Sequence, residues 1–162
     1  MKIQILNCGG TIDKSYNPAR EIFEHTKTHL PQILNQARIK NLEIETEELF
    51  LKDSLDMVEK DFQQVTEACE KSAFEKIIVM HGTSKMVESA KLVAAKKLSK
   101  VIVFFGAMIP YELAQTDAMF NLGFALAAVE TLPNGVYIAM NGEVFPHDKV
   151  KKNGAEATFE TV

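Results

Sequence analysis

The sequence predicts an α/β fold: a doubly wound, three-layer arrangement with a mainly parallel sheet covered on both faces. Three observations carry this. Residues 3–6, 76–80, 101–105 and 136–140 are short, nearly continuous apolar runs, the pattern of strands buried on both sides. Segments with helical spacing lie between them, so strand and helix alternate along the chain. Two of the strands run into a glycine followed by threonine, Gly9-Gly10-Thr11 and His81-Gly82-Thr83, as expected where a parallel sheet meets a ligand at its carboxyl edge.

The elements follow in order. Residues 3–6 form the first strand, and a long polar loop is expected from Asp13 to Thr28. Residues 30–38 read as a short helix. Residues 42–51 read as a strand, with Leu42, Ile44 and Thr46 on one face. Val58, Phe62, Val65 and Cys69 give residues 57–72 a helical stripe. The strand at 76–80 is followed by a helix at 86–98 with Leu92, Val93 and Ala95 expected to face inward. After the strand at 101–105 a second polar loop runs from Gly106 to Thr116. Asp117 is placed to cap a helix to Thr131, which Pro133 and Gly135 end. Residues 136–140 are the last central strand, and 143–145 a short edge. Two long polar loops at one end of such a sheet border the ligand crevice and can act as lids.

The chain has 162 residues, the size of a single domain spanning 1–162. Its net charge of -4 leaves no basic excess for nucleic acid or an anionic membrane. Two cysteines far apart, Cys8 and Cys69, do not make a disulfide framework and suit a reducing, cytoplasmic setting. The apolar start at residues 3–6 is too short for a signal peptide, and no run approaches the length of a membrane span. No GxGxxG or phosphate-loop lysine is present, so a nucleotide cofactor has no motif to hold it.

Chemistry concentrates at the two Gly-Thr turns. Thr11 is a candidate nucleophile, although the same residue can simply close a βα turn. A hydroxyl needs a base or a strong hydrogen-bonding neighbour, and Tyr16 in the following loop can supply one. Thr83 is the second candidate. A lysine that activates it must be neutral or act through water, and Lys151, where the chain returns after the last strand, is placed to do so unless it is only a surface lysine of the run Lys149, Lys151, Lys152. Cys8 at a strand end reads as a packing residue, and His81 as a satisfied structural histidine. His25 and His29 have the i, i+4 spacing of helical metal ligands but no third ligand, so a solvated face is expected and no metal. Lys96, Lys97 and Lys100 follow a helix, where positive charge suits the dipole. Met80, Met86, Met108 and Met119 are expected in the core.

With these residues in view, the chain resembles the amino-terminal domain of bacterial-type L-asparaginases, in particular the short single-domain asparaginase-like proteins. The matching blocks keep their order across nearly the whole chain: Gly9-Gly10-Thr11-Ile12-Asp13, Asp53-Ser54-Leu55-Asp56-Met57, His81-Gly82-Thr83, Gly106-Ala107-Met108-Ile109-Pro110, Phe120-Asn121-Leu122-Gly123, the run 136–141, Val144-Phe145 and Lys151-Lys152-Asn153. The resemblance implies a Rossmann-like domain, and hydrolysis of a side-chain amide to acid and ammonia with no metal or organic cofactor. It implies Thr11 as primary nucleophile, Tyr16 as its lid-borne partner, and Thr83 with Lys151 as a second catalytic group. Gly10, Ser54, Leu55, Ser84 and Lys85 would contact the substrate, Ser54 helping to hold its α-carboxylate, with backbone N–H groups at the turns stabilising the oxyanion. It also implies a homodimer or higher homo-oligomer, because full-length members complete the site with a carboxyl-terminal domain, usually a neighbour's, that does not follow residue 162 here.

The chain departs from the family at one decisive place. Where the family reads His-Gly-Thr-Asp-Thr, this chain reads His81-Gly82-Thr83-Ser84-Lys85. The missing aspartate pairs with the lysine and receives the substrate's ammonium. Losing a charged partner from a shielded site typically costs several kcal/mol, roughly a thousandfold in rate. Lys85 adds a cation near the ammonium position, at a helix amino end where an anion is favoured. Two readings follow: an amidohydrolase acting on a small amide or amino acid, slowed by Ser84 and Lys85, or a catalytically degenerate binder of a small anionic metabolite.

Overall fold

The computed structural model describes residues 1–162. The chain opens with strand β1 (Lys2–Gly9), a 3-10 turn at Thr11–Asp13, and a hairpin of β2 (Lys14–Asn17) and β3 (Ile22–His25). It continues through α1 (Leu30–Ala37), β4 (Glu43–Lys52), a second 3-10 turn at Ser54–Asp56, α2 (Glu59–Lys71) and β5 (Lys76–Met80). Then come α3 (Met86–Ala94), β6 (Val101–Phe105), α4 (Ala118–Thr131), β7 (Gly135–Met140) and β8 (Glu143–Pro146). A second hairpin, β9 (Val150–Asn153) and β10 (Thr158–Thr161), ends the chain.

Six strands form one sheet in the order β4-β1-β5-β6-β7-β8. The first five run parallel, and β8 turns back antiparallel at the edge. From β1 the chain crosses to β4 on one side, then returns past β1 to build β5, β6 and β7 on the other. The order therefore reverses between β1 and β5, and their carboxyl ends flank the crevice where ligands enter such sheets.

Strand alternation divides the core into two. Leu6, Cys8, Ile77, Val79, Ile102 and Phe104 face α2 and α3, meeting Phe62, Val65, Cys69, Met86, Ala90 and Val93. Ile3, Ile5, Ile78, Met80, Val103 and Phe105 face α1 and α4, meeting Leu30, Ile33, Leu122, Ala125 and Val129. Helices cover both faces, which is the doubly wound, three-layer architecture that the apolar strands predict.

The differences are local. The segment expected as a polar loop from Asp13 to Thr28 is mostly the β2/β3 hairpin, in register from Lys14 opposite His25 to Asn17 opposite Ile22. Helix α3 ends at Ala94 rather than residue 98, because the next turn tightens through Lys96 N–Val93 O and Lys97 N–Ala94 O bonds, and Lys97 takes φ 51°. Its inward residues are Met86, Ala90 and Val93, whereas Leu92 and Ala95 face solvent. Lys100 serves a helix other than the one it follows: its Nζ donates to Cys69 O, Glu70 O and Ser72 O at the end of α2. The β9/β10 hairpin, absent from the sequence reading, packs Val150 and Phe159 into the core on the α2/α3 side. Among the methionines, Met80 and Met86 are fully buried and Met108 and Met119 only partly.

Candidate active site

Three chain turns converge at the carboxyl edge between β4, β1 and β5. After β1, Gly9 and Gly10 have φ of 77° and 76°, conformations that favour glycine. The Gly10 N–H donates to Lys52 O (2.8 Å), pinning this turn to the end of β4. A Cβ on Gly10 would lie 2.5 Å from Gly82 Cα, and a Cβ on Gly82 would lie 2.7 Å from Ser54 Cβ. Glycine at both positions thus allows the Gly10-Thr11, Gly82-Thr83 and Ser54 turns to touch. Thr11 is half-buried, and Ser54 and Thr83 are buried. The Ser54 hydroxyl accepts from the Lys85 N–H at 3.3 Å.

The lysine at Thr83 is Lys152, and Lys151 is not. Lys152 Nζ donates to Thr83 Oγ1 at 2.8 Å and to Ser84 Oγ at 3.3 Å. Side chains alternate along β9, so burying Val150 turns Lys152 to the same side and Lys151 to the other. Lys151 lies outward in a cross-strand ion pair with Glu160 (3.1 Å). The missed signal was this two-residue period: an apolar Val150 fixes the face, and a one-residue slip inverts it. Burial lowers the Lys152 ammonium below the ordinary lysine range, with Asp53 opposing the shift.

The β2/β3 hairpin crosses the same edge. The Lys14 ammonium pairs with Asp53, and His25 Nε2 donates to Gly10 O (2.9 Å). Burial raises the Asp53 carboxyl, but the bonds from Lys14 and the Leu55 N–H outweigh it and leave Asp53 below the usual carboxylate range. Tyr16 is 49% exposed and packs its ring on Phe23 (5.4 Å between centroids), while its N–H donates to Glu112. No bond joins Tyr16 to Thr11. Leu55 is 68% exposed on the open side. Lys85, expected to add a positive charge near the site, pairs with Glu88 at 3.1 Å.

A family model described as "Asparaginase, N-terminal" matches residues 2–161. The chain belongs to the asparaginase family. It is 26% identical to the glutaminase-asparaginase of Acinetobacter glutaminasificans over 166 residues, covering 93% of this chain and 49% of that protein. Solved structures share the fold. The thermostable L-asparaginase of Thermococcus kodakarensis has a TM-score of 0.82 at 24% identity, covering 100% of this chain and 51% of that one. L-asparaginase I of Vibrio cholerae gives 0.81 at 22%, and a probable cytoplasmic L-asparaginase of Campylobacter jejuni gives 0.79 at 23%; each is covered over 99% of this chain and 51% of its own. The chain thus spans about half the length of these relatives.

Polar residues beneath the turns of this asparaginase-family domain hold the backbone in place. Asp13 is fully buried, accepting from Asn7 Nδ2 (2.9 Å) and the His29 N–H (2.7 Å); burial raises its carboxyl despite these bonds. His29, expected on a solvated face, is only 6% exposed and hydrogen-bonded to the Ser15 hydroxyl (2.9 Å). His81 is the structural histidine its neighbours suggest. Its Nδ1–H donates to Gly82 O (2.8 Å), so its Nε2 accepts from Ser89 Oγ (2.8 Å), and burial pushes the imidazole down to about 4. Asp117 begins α4 as expected, but its carboxylate accepts from the Met108 and Ile109 N–H groups and from Asn121 Nδ2, tying down the loop after β6. Burial also raises the thiols of Cys8 and, to about 12, Cys69, which leaves both as packing residues. No group of three or more His, Cys, Asp or Glu side chains is placed to hold a metal.

Proposed function

We propose that this domain hydrolyses a small carboxamide through a hydroxyl nucleophile. The observation that carries the reading is the 2.8 Å bond from Lys152 Nζ to Thr83 Oγ1, in a crevice where the Gly10-Thr11 and Gly82-Thr83 turns are in contact. The Thr11 hydroxyl attacks the amide carbon, the C–N bond breaks, and ammonia leaves with the hydroxyl proton. Water then cleaves the ester, releasing the acid and restoring the hydroxyl. Lys152, desolvated and bonded to Thr83, takes the place that chain order and resemblance gave Lys151, exchanging protons at Thr83 Oγ1. Tyr16, carried on the hairpin, closes over Thr11 when ligand is bound; Gly10, Ser54, Leu55, Ser84 and Lys85 line the substrate side. The family match and the glutaminase-asparaginase relative support the reaction class.

A homo-oligomer belongs to this proposal. Helix α4 has no charged residue between Asp117 and Glu130, and its solvent side carries Phe120 (56% exposed), its ring tilted against that of Phe124. A helix apolar on all sides is ordinarily covered on all sides. Cytoplasmic residence is proposed on the two unpaired, buried cysteines and the Campylobacter jejuni neighbour; no helix is long and apolar enough to cross a membrane.

The test is ammonia release from a panel of small amides, with the Thr11→Ala protein as control. Release by the parent chain and background in the variant is the expected result. Equal release from both proteins overturns the reading. Light scattering on an eluting peak, with Phe120→Glu as the comparison, tests self-association; an unaltered mass in the variant removes α4 as the interface.

A further inference from the structure

Resting on that reading of the site, we propose that its substrates are amides bearing a free carboxylate and no ammonium: monoamides of short dicarboxylic acids, of which succinamate is the simplest probe. The charges around the crevice carry this. Four acidic side chains around the crevice already have partners. Asp53 is held by Lys14, Glu88 by Lys85, and Glu112 accepts from the Tyr16 N–H. Asp13 is fully buried beneath the turn, with both oxygens bonded by Asn7 and the His29 N–H. An incoming ammonium therefore finds the carboxylates of Asp13 and Asp53, the two nearest the turns, already taken.

An incoming carboxylate finds the opposite. Lys152 is a site cation with no ion pair; its Nζ is held only by two hydroxyls, Thr83 Oγ1 and Ser84 Oγ. The one carboxylate whose charge reaches it, Asp53, is committed to Lys14. Ser84 is exposed, and its hydroxyl can donate to a ligand oxygen while accepting from Lys152. A carboxylate there completes the ion pair that the chain leaves open. An ammonium in the same place meets a like charge, and such repulsion excludes ligands as effectively as contacts select them. The discrimination expected from one unpaired cation is about tenfold or more.

Two measurements on the full chain test this together. Ammonia release is followed for succinamate, asparagine and glutamine, and calorimetry compares succinate with L-aspartate. The expected result is kcat/KM for succinamate at least about tenfold above that for asparagine, with succinate binding tighter than aspartate by a similar factor. Lys152→Met should erase the succinate preference and Ser84→Asp should turn it toward aspartate, each variant's fold being checked by its melting transition. Asparagine hydrolysed as well as succinamate, or aspartate binding as well as succinate, overturns the proposal while leaving the hydrolase reading intact. No ammonia from any amide, with succinate still the tighter ligand, removes the hydrolase reading and leaves the anion selectivity standing. Binding of neither diacid overturns the selectivity outright.

Discussion

Adjacent lysines point to opposite sides of one strand, and only one of them reaches the crevice. Lys152 holds Thr83 Oγ1 at 2.8 Å, and Lys151 holds Glu160 on the other side of the strand. Removing a positioned proton-exchanging group typically costs about 10²–10⁴ in rate. Lys152→Met should therefore lower ammonia release by that range, whereas Lys151→Ala, losing one exposed ion pair, should stay within about twofold and shift stability by less than about 1 kcal/mol. Matching losses in the two variants would remove Lys152 from the site. Glycine makes a second test at this scale. Gly82→Ala places a Cβ 2.7 Å from the Cβ of buried Ser54, so the contacting turns must part. Overpacking of this kind costs about 1–3 kcal/mol; a chemical-denaturation midpoint equal to the parent's would show that the turns do not touch. The glycines were legible as close-approach positions because their place after strands announces it. The lysine was not, because a run of three lysines carries no face of its own until Val150 is known to be buried.

Burial of Val150 and Phe159 brings the β9/β10 hairpin to the site, although it lies outside the main sheet. Phe159 sits opposite Lys152 in the ladder, and its N–H donates to Asn141 Oδ1 (2.9 Å), while the Asn141 N–H donates to Asn121 Oδ1 (3.1 Å). A line of bonds thus runs from α4 to the strand that carries the lysine. Phe159→Ala should cost about 3 kcal/mol, a drop of about 6–12 °C in melting temperature for a chain of this size. It should also lower ammonia release at temperatures where the fold persists, because Lys152 loses its anchored partner; full activity in a destabilised variant would mean the hairpin does not position it. Elements of this sort explain where sequence reading stops. The central strands β5 and β6 were bounded to the residue by their apolar runs, and α4 by Asp117 and Pro133. Both hairpins were missed, since four-residue strands rich in Lys, Glu and Asn resemble loops and owe their pairing to what lies beneath them. The end of α3 was missed for a related reason: Lys97 at φ 51° stops it, and lysine gives no sign of that conformation in advance.

Across the whole molecule, the buried titratable groups give acid stability a definite shape. His81 is neutral in the fold, pushed down to about 4, against about 6.5 in an unfolded chain. Between those values the unfolded chain binds a proton that the native one refuses, so acid favours unfolding by about 1.4 kcal/mol per pH unit, about 3 kcal/mol in all. Asp53 and Asp61 act next. Burial raises both, yet the lysine bonds, from Lys14 and Lys52 respectively, hold them below the ordinary range; their stabilisation is present above the unfolded carboxylate value and is lost as pH falls through the folded one. Asp13 works the other way. Its raised carboxyl takes up a proton more readily in the fold than out of it, so it opposes the loss over the interval between its unfolded and folded values. Chemical denaturation at a series of pH values should thus show stability nearly flat above about 6.5 and falling below it, before ordinary carboxylates begin to titrate. The early part of that fall belongs to His81. His81→Gln keeps a side-chain donor and acceptor but cannot gain a proton, and should flatten the interval between about 6.5 and 4 even if it lowers stability throughout. A parent-like slope in that variant would show that another group, and not the imidazole under the Gly82-Thr83 turn, sets the acid limit of the fold.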